Sequence, residues 1–172
     1  MRIAFALAML ALALALSAFA PTGATPPDAL AQKKLLFPLK GYEKALRDNF
    51  AEARGNRVHE ALDIMAPRGT PVLAVDDGSV AKLFRSIAGG ITLYQYDTEE
   101  RYVYYYAHLD RYAPGIAAGT RLKRGDLIGY VGSTGNAPEH APHLHFTIMR
   151  LGNEKKWWKG QAVNPYPYLA RR

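Results

Sequence analysis

His143-Leu144-His145-Phe146-Thr147-Ile148-Met149-Arg150 reads as a β-strand with two unlike faces. Alternate residues of a strand share a face and lie about 7 Å apart. His143 and His145 therefore serve one site, while Leu144 and Phe146 point the other way, into a core. The same grammar extends upstream. Ala61 to Met65 runs into a turn at Pro67-Arg68-Gly69, and Pro71 to Val75 into another at Asp76-Asp77-Gly78. Ser79 to Phe84 returns, Gly89-Gly90 opens Ile91 to Tyr96, and Asp97 to Glu100 is a polar turn into Arg101 to Leu109. Asp126 to Val131 is a further strand. Short apolar runs punctuated by Gly, Pro and Asp indicate an all-β fold, an antiparallel β-sandwich or partial barrel. Two stretches resemble each other. Gly69-Thr70-Pro71-Val72 and Gly119-Thr120-Arg121-Leu122 each precede a Gly-containing turn and a second strand, a weak sign of repeated β units.

The ends read differently. Ile3 to Leu16 is an apolar run behind Met1-Arg2, followed by an Ala-x-Ala signal at Ala18-Phe19-Ala20. This pattern predicts a secretory signal peptide over 1–24, cut after Ala20 or Ala24. The competing reading is a membrane anchor, since the run is at the lower limit of a span. Residues 25–34 read as a linker. Residues 35–56 read as an extended and helical segment, with Tyr42, Ala45, Leu46 and Phe50 on a helical period and Gly55 as a stop. The main domain is expected over 57–150. An irregular arm carrying Trp157-Trp158 follows over 151–172.

The chain of 172 residues is long enough for a real core, and 49% of it is apolar. It has no cysteine, which excludes disulfides, thiolate ligands and a lipid-modified cysteine. Any zinc site must use nitrogen and oxygen donors. The net charge of +7 is scattered, so it reads as a solvated basic surface and not as a nucleic-acid site.

There are five histidines. Four of them, His59, His108, His143 and His145, together with Asp63, make up the equipment of a zinc hydrolase: two histidines and a carboxylate to hold an ion, and two histidines to move protons beside it. His59 and Asp63 are four apart. On a straight strand they would lie about 13 Å apart, too far to share one ion. The chain must therefore bend near Glu60-Ala61. Tyr102, Tyr104, Tyr106 and His108 share a face by alternation, which either lines a cleft or packs under the C-terminal arm. His140 receives no role.

His59-x-x-x-Asp63, Tyr106-x-His108-Leu109 and His143-Leu144-His145-Phe146 resemble the motifs of the lysostaphin-type, or LytM-like, zinc metallopeptidases. The flanking blocks Asp63-Ile64-x-Ala66-Pro67-x-Gly69-Thr70-Pro71-Val72 and Gly125-Asp126-x-Ile128-Gly129 agree in kind and order. The resemblance implies a β-sandwich with a substrate groove and a peptidoglycan endopeptidase; the signal peptide predicts export, and the short signal and lack of wall-binding repeats favour the periplasm over the extracellular space. The resemblance also implies one zinc ion per chain held by His59, Asp63 and His145, with His143 as general base and His108 stabilising the transition state or donating a proton. Two departures stand out. Ala61 replaces the family's usual Gly at the expected bend, and Thr147 replaces a frequent Glu.

Two other functions compete. A non-catalytic peptidoglycan-binding or hydrolase-activating module of the same fold would typically lack ligands, which this chain retains. A lipoyl-type carrier would need a lysine at a hairpin tip, and neither Asp76-Asp77-Gly78 nor Ser133-Thr134-Gly135 supplies one.

Overall fold

The computed structural model describes residues 29–170. The expected signal peptide lies outside the described residues. Eleven strands follow in chain order: β1 (Ala53–Arg54), β2 (Arg57–Val58), β3 (Leu62–Met65), β4 (Pro71–Leu73), β5 (Gly78–Ser86), β6 (Gly90–Asp97), β7 (Tyr102–Tyr112), β8 (Arg121–Leu122), β9 (Leu127–Val131), β10 (His143–Leu151) and β11 (Gly160–Val163). β1 and β2 form a small hairpin of their own. The other nine make one branched antiparallel sheet in the order β11-β10-β7-β6-β5-β8, with β3 on β10 and β9 bridging β7 to β4. The described strands do not close into a barrel.

β10 explains much of this arrangement. Leu144, Phe146 and Ile148 are fully buried on one face, each contributing roughly 1.5–3 kcal/mol by leaving water. A slip of one residue would exchange these side chains with His143 and His145, so burial fixes the register. Around them pack Leu62 and Ile64 of β3, Leu93 of β6, Tyr104 and Tyr106 of β7, and Ile128 and Val131 of β9.

The two similar segments trade partners. β4 of the first pairs with β9 of the second, and β5 of the first pairs with β8 of the second. Their turns match bond for bond. Gly69 N–H donates to the Val131 carbonyl and Val131 N–H to Thr70, just as Gly119 donates to Val80 and Val80 to Thr120.

The expected helix over residues 42–53 is not formed. Only a 3-10 turn, Glu43–Ala45, appears there. Tyr42, Ala45, Leu46 and Phe50 still pack on the core. Beyond them the backbone is committed elsewhere: the carbonyls of Phe50 and Glu52 accept from the N–H groups of Glu60 and His59. The stretch read as a linker packs at its end, where Leu30 is buried and Lys33 pairs with Asp76 and Asp97. The C-terminal arm is more regular than expected. It adds β11 to the sheet edge and ends in α1 (Tyr166–Leu169). Trp157 packs beside Tyr94 with ring centroids 4.6 Å apart.

Candidate functional site

A cleft of about 360 Å³ gathers His59, Asp63, His108, His143 and His145. Arg54 and Arg57, Tyr105, Ala88-Gly89 and Asn136-Ala137-Pro138 complete its lining. His140 is exposed and outside it.

The regular part of the site comes from β3 and β10. Their register places His145 opposite Asp63 and His143 opposite Met65. His145 Nδ1 lies 3.0 Å from Asp63 Oδ1. His143 Nε2 lies 3.6 Å from the same oxygen.

His59 joins them through the expected bend. Glu60 takes a left-handed backbone, φ 58°, and the chain re-enters β3 at Leu62. The positive φ falls on Glu60 and not on Ala61, which is fully buried. A methyl group at 61 therefore meets no left-handed penalty. Thr147 supports the turn, since its hydroxyl donates to the Glu60 carbonyl at 2.6 Å. The bend brings His59 Nε2 to 3.1 Å from Asp63 Oδ1 and 3.2 Å from His145 Nδ1.

His108 arrives by a second irregularity. On an unbroken β7 it would share the face of Tyr104 and Tyr106. Those two are fully buried in the core, so of the two readings of this face, cleft lining is excluded for them and packing holds. Tyr104 donates to Asp76 and Tyr106 to Gln95 within the interior. His108 has φ 58°, and the pairing of β7 with β9 shifts register just after it, between Leu109 and Arg111. Such a bulge re-aims a side chain. His108 thus faces the cleft together with Tyr105, which the alternation argument had turned away. Its N–H donates to Gly89, and Nδ1 lies 2.8 Å from the Thr134 carbonyl. The two loops behind it interlock through glycines: a Cβ on Gly135 would lie 2.3 Å from the Ala88 oxygen and the Gly90 nitrogen.

Carbonyl contacts fix which ring nitrogens are basic. Nδ1 of His59, His108 and His143 lie 3.0, 2.8 and 2.8 Å from the carbonyls of Asn49, Thr134 and Ala141. A carbonyl only accepts, so each Nδ1 carries hydrogen and each neutral ring keeps its lone pair on Nε2. For His59 that lone pair faces Asp63 Oδ1, acceptor against acceptor. Asn49 also accepts from the Asp63 N–H through its side chain. This double support was missed by sequence reasoning, for an isolated Asn in a polar stretch carries no pattern.

The charges follow. Burial opposes ionisation of Asp63, but the hydrogen bond and charge of His145, with His59 and His143 nearby, hold its carboxyl well below the usual range. Burial pushes His108 down to about 4, against its bond to the Thr134 carbonyl.

The donor atoms of His59, Asp63 and His145 lie 3.0–3.2 Å apart in pairs. A tetrahedral ion with bonds of about 2.0–2.1 Å sets its donors about 3.3 Å apart. A single proton on His145 Nδ1 can serve only part of this cluster, whereas a cation satisfies all three donors. The residues fit a zinc-sized divalent ion.

The model of Peptidase family M23 matches residues 57–165. An L-Ala--D-Glu endopeptidase of Bacillus subtilis is 34% identical over 131 residues, which is 72% of this chain and 39% of that protein. The glycyl-glycine endopeptidase ALE-1 of Staphylococcus capitis is 32% identical over 112 residues, covering 64% of this chain and 29% of its own length. The matched region is thus well under two thirds of these curated relatives. The crystallised catalytic domain of lysostaphin from Staphylococcus simulans superposes with a TM-score of 0.56 at 31% identity, over 66% of this chain and 80% of that one.

Proposed function

The chain belongs to Peptidase family M23, and from that premise we propose that it is an exported zinc metalloendopeptidase acting on peptide bonds in peptidoglycan stems or cross-links. One observation carries the reading: the lone pair of His59 is fixed by Asn49 and aimed at an ionised carboxylate, with His145 completing the triangle.

His59, Asp63 and His145 would hold one zinc ion. When bound, zinc lowers the pKa of a coordinated water to about 7 and polarises the scissile carbonyl. His143 is the general base. The Ala141 carbonyl leaves the lone pair on its Nε2, which sits beside Asp63 and would take the proton of the attacking water. His108 begins neutral, with its hydrogen on Nδ1. The proton that His143 takes from water is the one the leaving amine needs, and His108, whose ring lies 4.8 Å from that of His143, would receive it on Nε2 and donate it to the amine or, so charged, steady the developing oxyanion. Arg54 donates to Asp63 Oδ2 at 2.9 Å and leaves Oδ1 facing His59 and His145.

Residues 1–24 serve as the export signal and 57–150 as the catalytic domain, with the periplasm as destination. No helix among the described residues is long and apolar enough to cross a membrane.

The test is digestion of purified peptidoglycan with and without a chelator, followed by mass analysis of the released muropeptides. New peptide termini that vanish with the chelator are expected. Undiminished hydrolysis by a zinc-free His145→Ala protein sinks the assignment. Metal-free protein that cuts nothing, yet enhances another wall hydrolase, favours the non-catalytic module.

A further inference from the structure

One wall of the cleft is the β1–β2 hairpin, which sets Arg54 directly opposite Arg57. Like charges facing each other across a strand pair repel. The two arginines are not equivalent. Nη2 of Arg54 donates to both Glu52 and Asp63, each at 2.9 Å. The Arg57 side chain makes no hydrogen bond or ion pair among the described residues, although it lines the same cleft.

The other lining groups sharpen the contrast. Asp63 is the one acidic residue of the lining, and its carboxylate is already engaged by Arg54, His59 and His145. Ala88-Gly89 and Asn136-Ala137-Pro138 carry no charge. Arg54 is balanced by Glu52 and Asp63, so Arg57 is the guanidinium of this wall left without an anionic partner among the described residues, and it gives the wall a positive potential. Concave walls concentrate such a potential on an incoming anion. The planar fork of arginine matches a carboxylate with two parallel hydrogen bonds.

We propose that Arg57 is a specificity residue that receives a carboxylate on the peptide beside the scissile bond, so that the cleft selects acidic stem peptides over neutral glycine bridges. This rests on the endopeptidase reading and adds to it the chemical class of the substrate. The carboxylate comes from either an acidic side chain or a peptide C-terminus, and both present the same group to the guanidinium.

The experiment measures binding, so that it does not depend on turnover. Zinc-loaded His143→Ala protein is titrated calorimetrically with a synthetic L-Ala–D-Glu stem peptide carrying free carboxylates. The same peptide with all carboxylates amidated, two singly amidated forms and pentaglycine amide complete the set. The free peptide is expected to bind about tenfold more tightly than the fully amidated one. Adding Arg57→Gln removes that preference and leaves the Kd of the amidated peptide unchanged. Arg57→Lys, which keeps the charge but loses the fork, retains part of the preference. The singly amidated forms identify which carboxylate is read. A preference that is absent, that survives Arg57→Gln, or an Arg57→Gln loss equal for both peptides overturns the inference. If the wild-type protein cuts no peptidoglycan while this preference stands, the endopeptidase reading alone fails.

Discussion

His143 and His145 stand on an uninterrupted strand whose register with β3 and β7 sets their place. His59 and His108 reach the same cleft where the backbone leaves regular structure, next to Glu60 at φ 58° and at His108 itself at φ 58°. The first pair is held by the core. Its position is as secure as the burial of Leu144 and Phe146 beneath it. The second pair is held by specific hydrogen bonds: Asn49, Glu52, Phe50 and Thr147 around His59 and Glu60, and Gly89 and Thr134 around His108. A left-handed non-glycine residue costs about 1–2 kcal/mol and persists only where its surroundings over-determine it. Geometry spread over many apolar contacts tolerates the loss of one. Geometry resting on a few hydrogen bonds does not.

Substitutions can break this contrast in graded steps. The largest effect is expected at the secure half, where the chemistry and not the scaffold is removed. His145→Ala keeps its fold, loses bound zinc by elemental analysis and releases no muropeptides, while His143→Ala keeps zinc and loses turnover. Next comes the loop support of His108. Gly135→Ala must place a methyl group against the Ala88 and Gly90 backbone at φ 77°. A loss of about 3 kcal/mol in urea unfolding is expected, with the His108 resonances shifted before those of β10.

A pH titration of metal-free protein tests the same half more gently. His108 has its pKa lowered to about 4 from 6.5. Between these values the unfolded chain binds a proton that the folded chain refuses, so stability falls as pH drops. The contribution is complete above about pH 6.5 and is lost as pH falls through about 4. His108→Gln should flatten that part of the stability curve. NMR of the His108 ring should show it neutral at pH 5.5, and a charged ring there contradicts the burial argument.

The smallest effects concern the bend. Thr147→Val removes the hydroxyl under the Glu60 carbonyl and should cost about 1 kcal/mol, read by thermal unfolding, with weaker zinc affinity because His59 is freed. Glu60→Gly should act in the opposite sense. It relieves the left-handed strain at an exposed position and raises stability by up to about 1 kcal/mol, net of the glycine entropy cost. Should both substitutions be neutral, the bend is held by the core after all and the contrast between the halves disappears.

The same division governs what the sequence could tell. Alternation around His143 to Phe146 assigned the strand, its buried face and its functional face, because period two is a local signal. The bend between His59 and Asp63 was legible as well, though only as a distance problem needing a solution near Glu60. The face of His108 was not legible, since a bulge reverses the parity on which the argument rests and nothing in Tyr102 to Leu109 marks one. The apolar period through Tyr42, Ala45, Leu46 and Phe50 identified residues that do pack on the core but not their backbone, which pairs with Glu60 and His59 instead of coiling. Asn49 and Arg54 act through partners distant in sequence, and their roles emerge only once those partners are in place.

β10 lies late in the chain, yet it borders β3, β7 and β11 at once. Without β10, β3 has no partner strand and β7, though paired with β6 and β9, keeps one edge open. Non-local closure of this kind slows folding, and unpaired edges are tolerated only transiently. The cleft is therefore unfinished until β10 has paired with β3 and β7. The strand that closes the sheet is the same one that delivers His143 and His145, so assembly of the site and completion of the sheet are a single event.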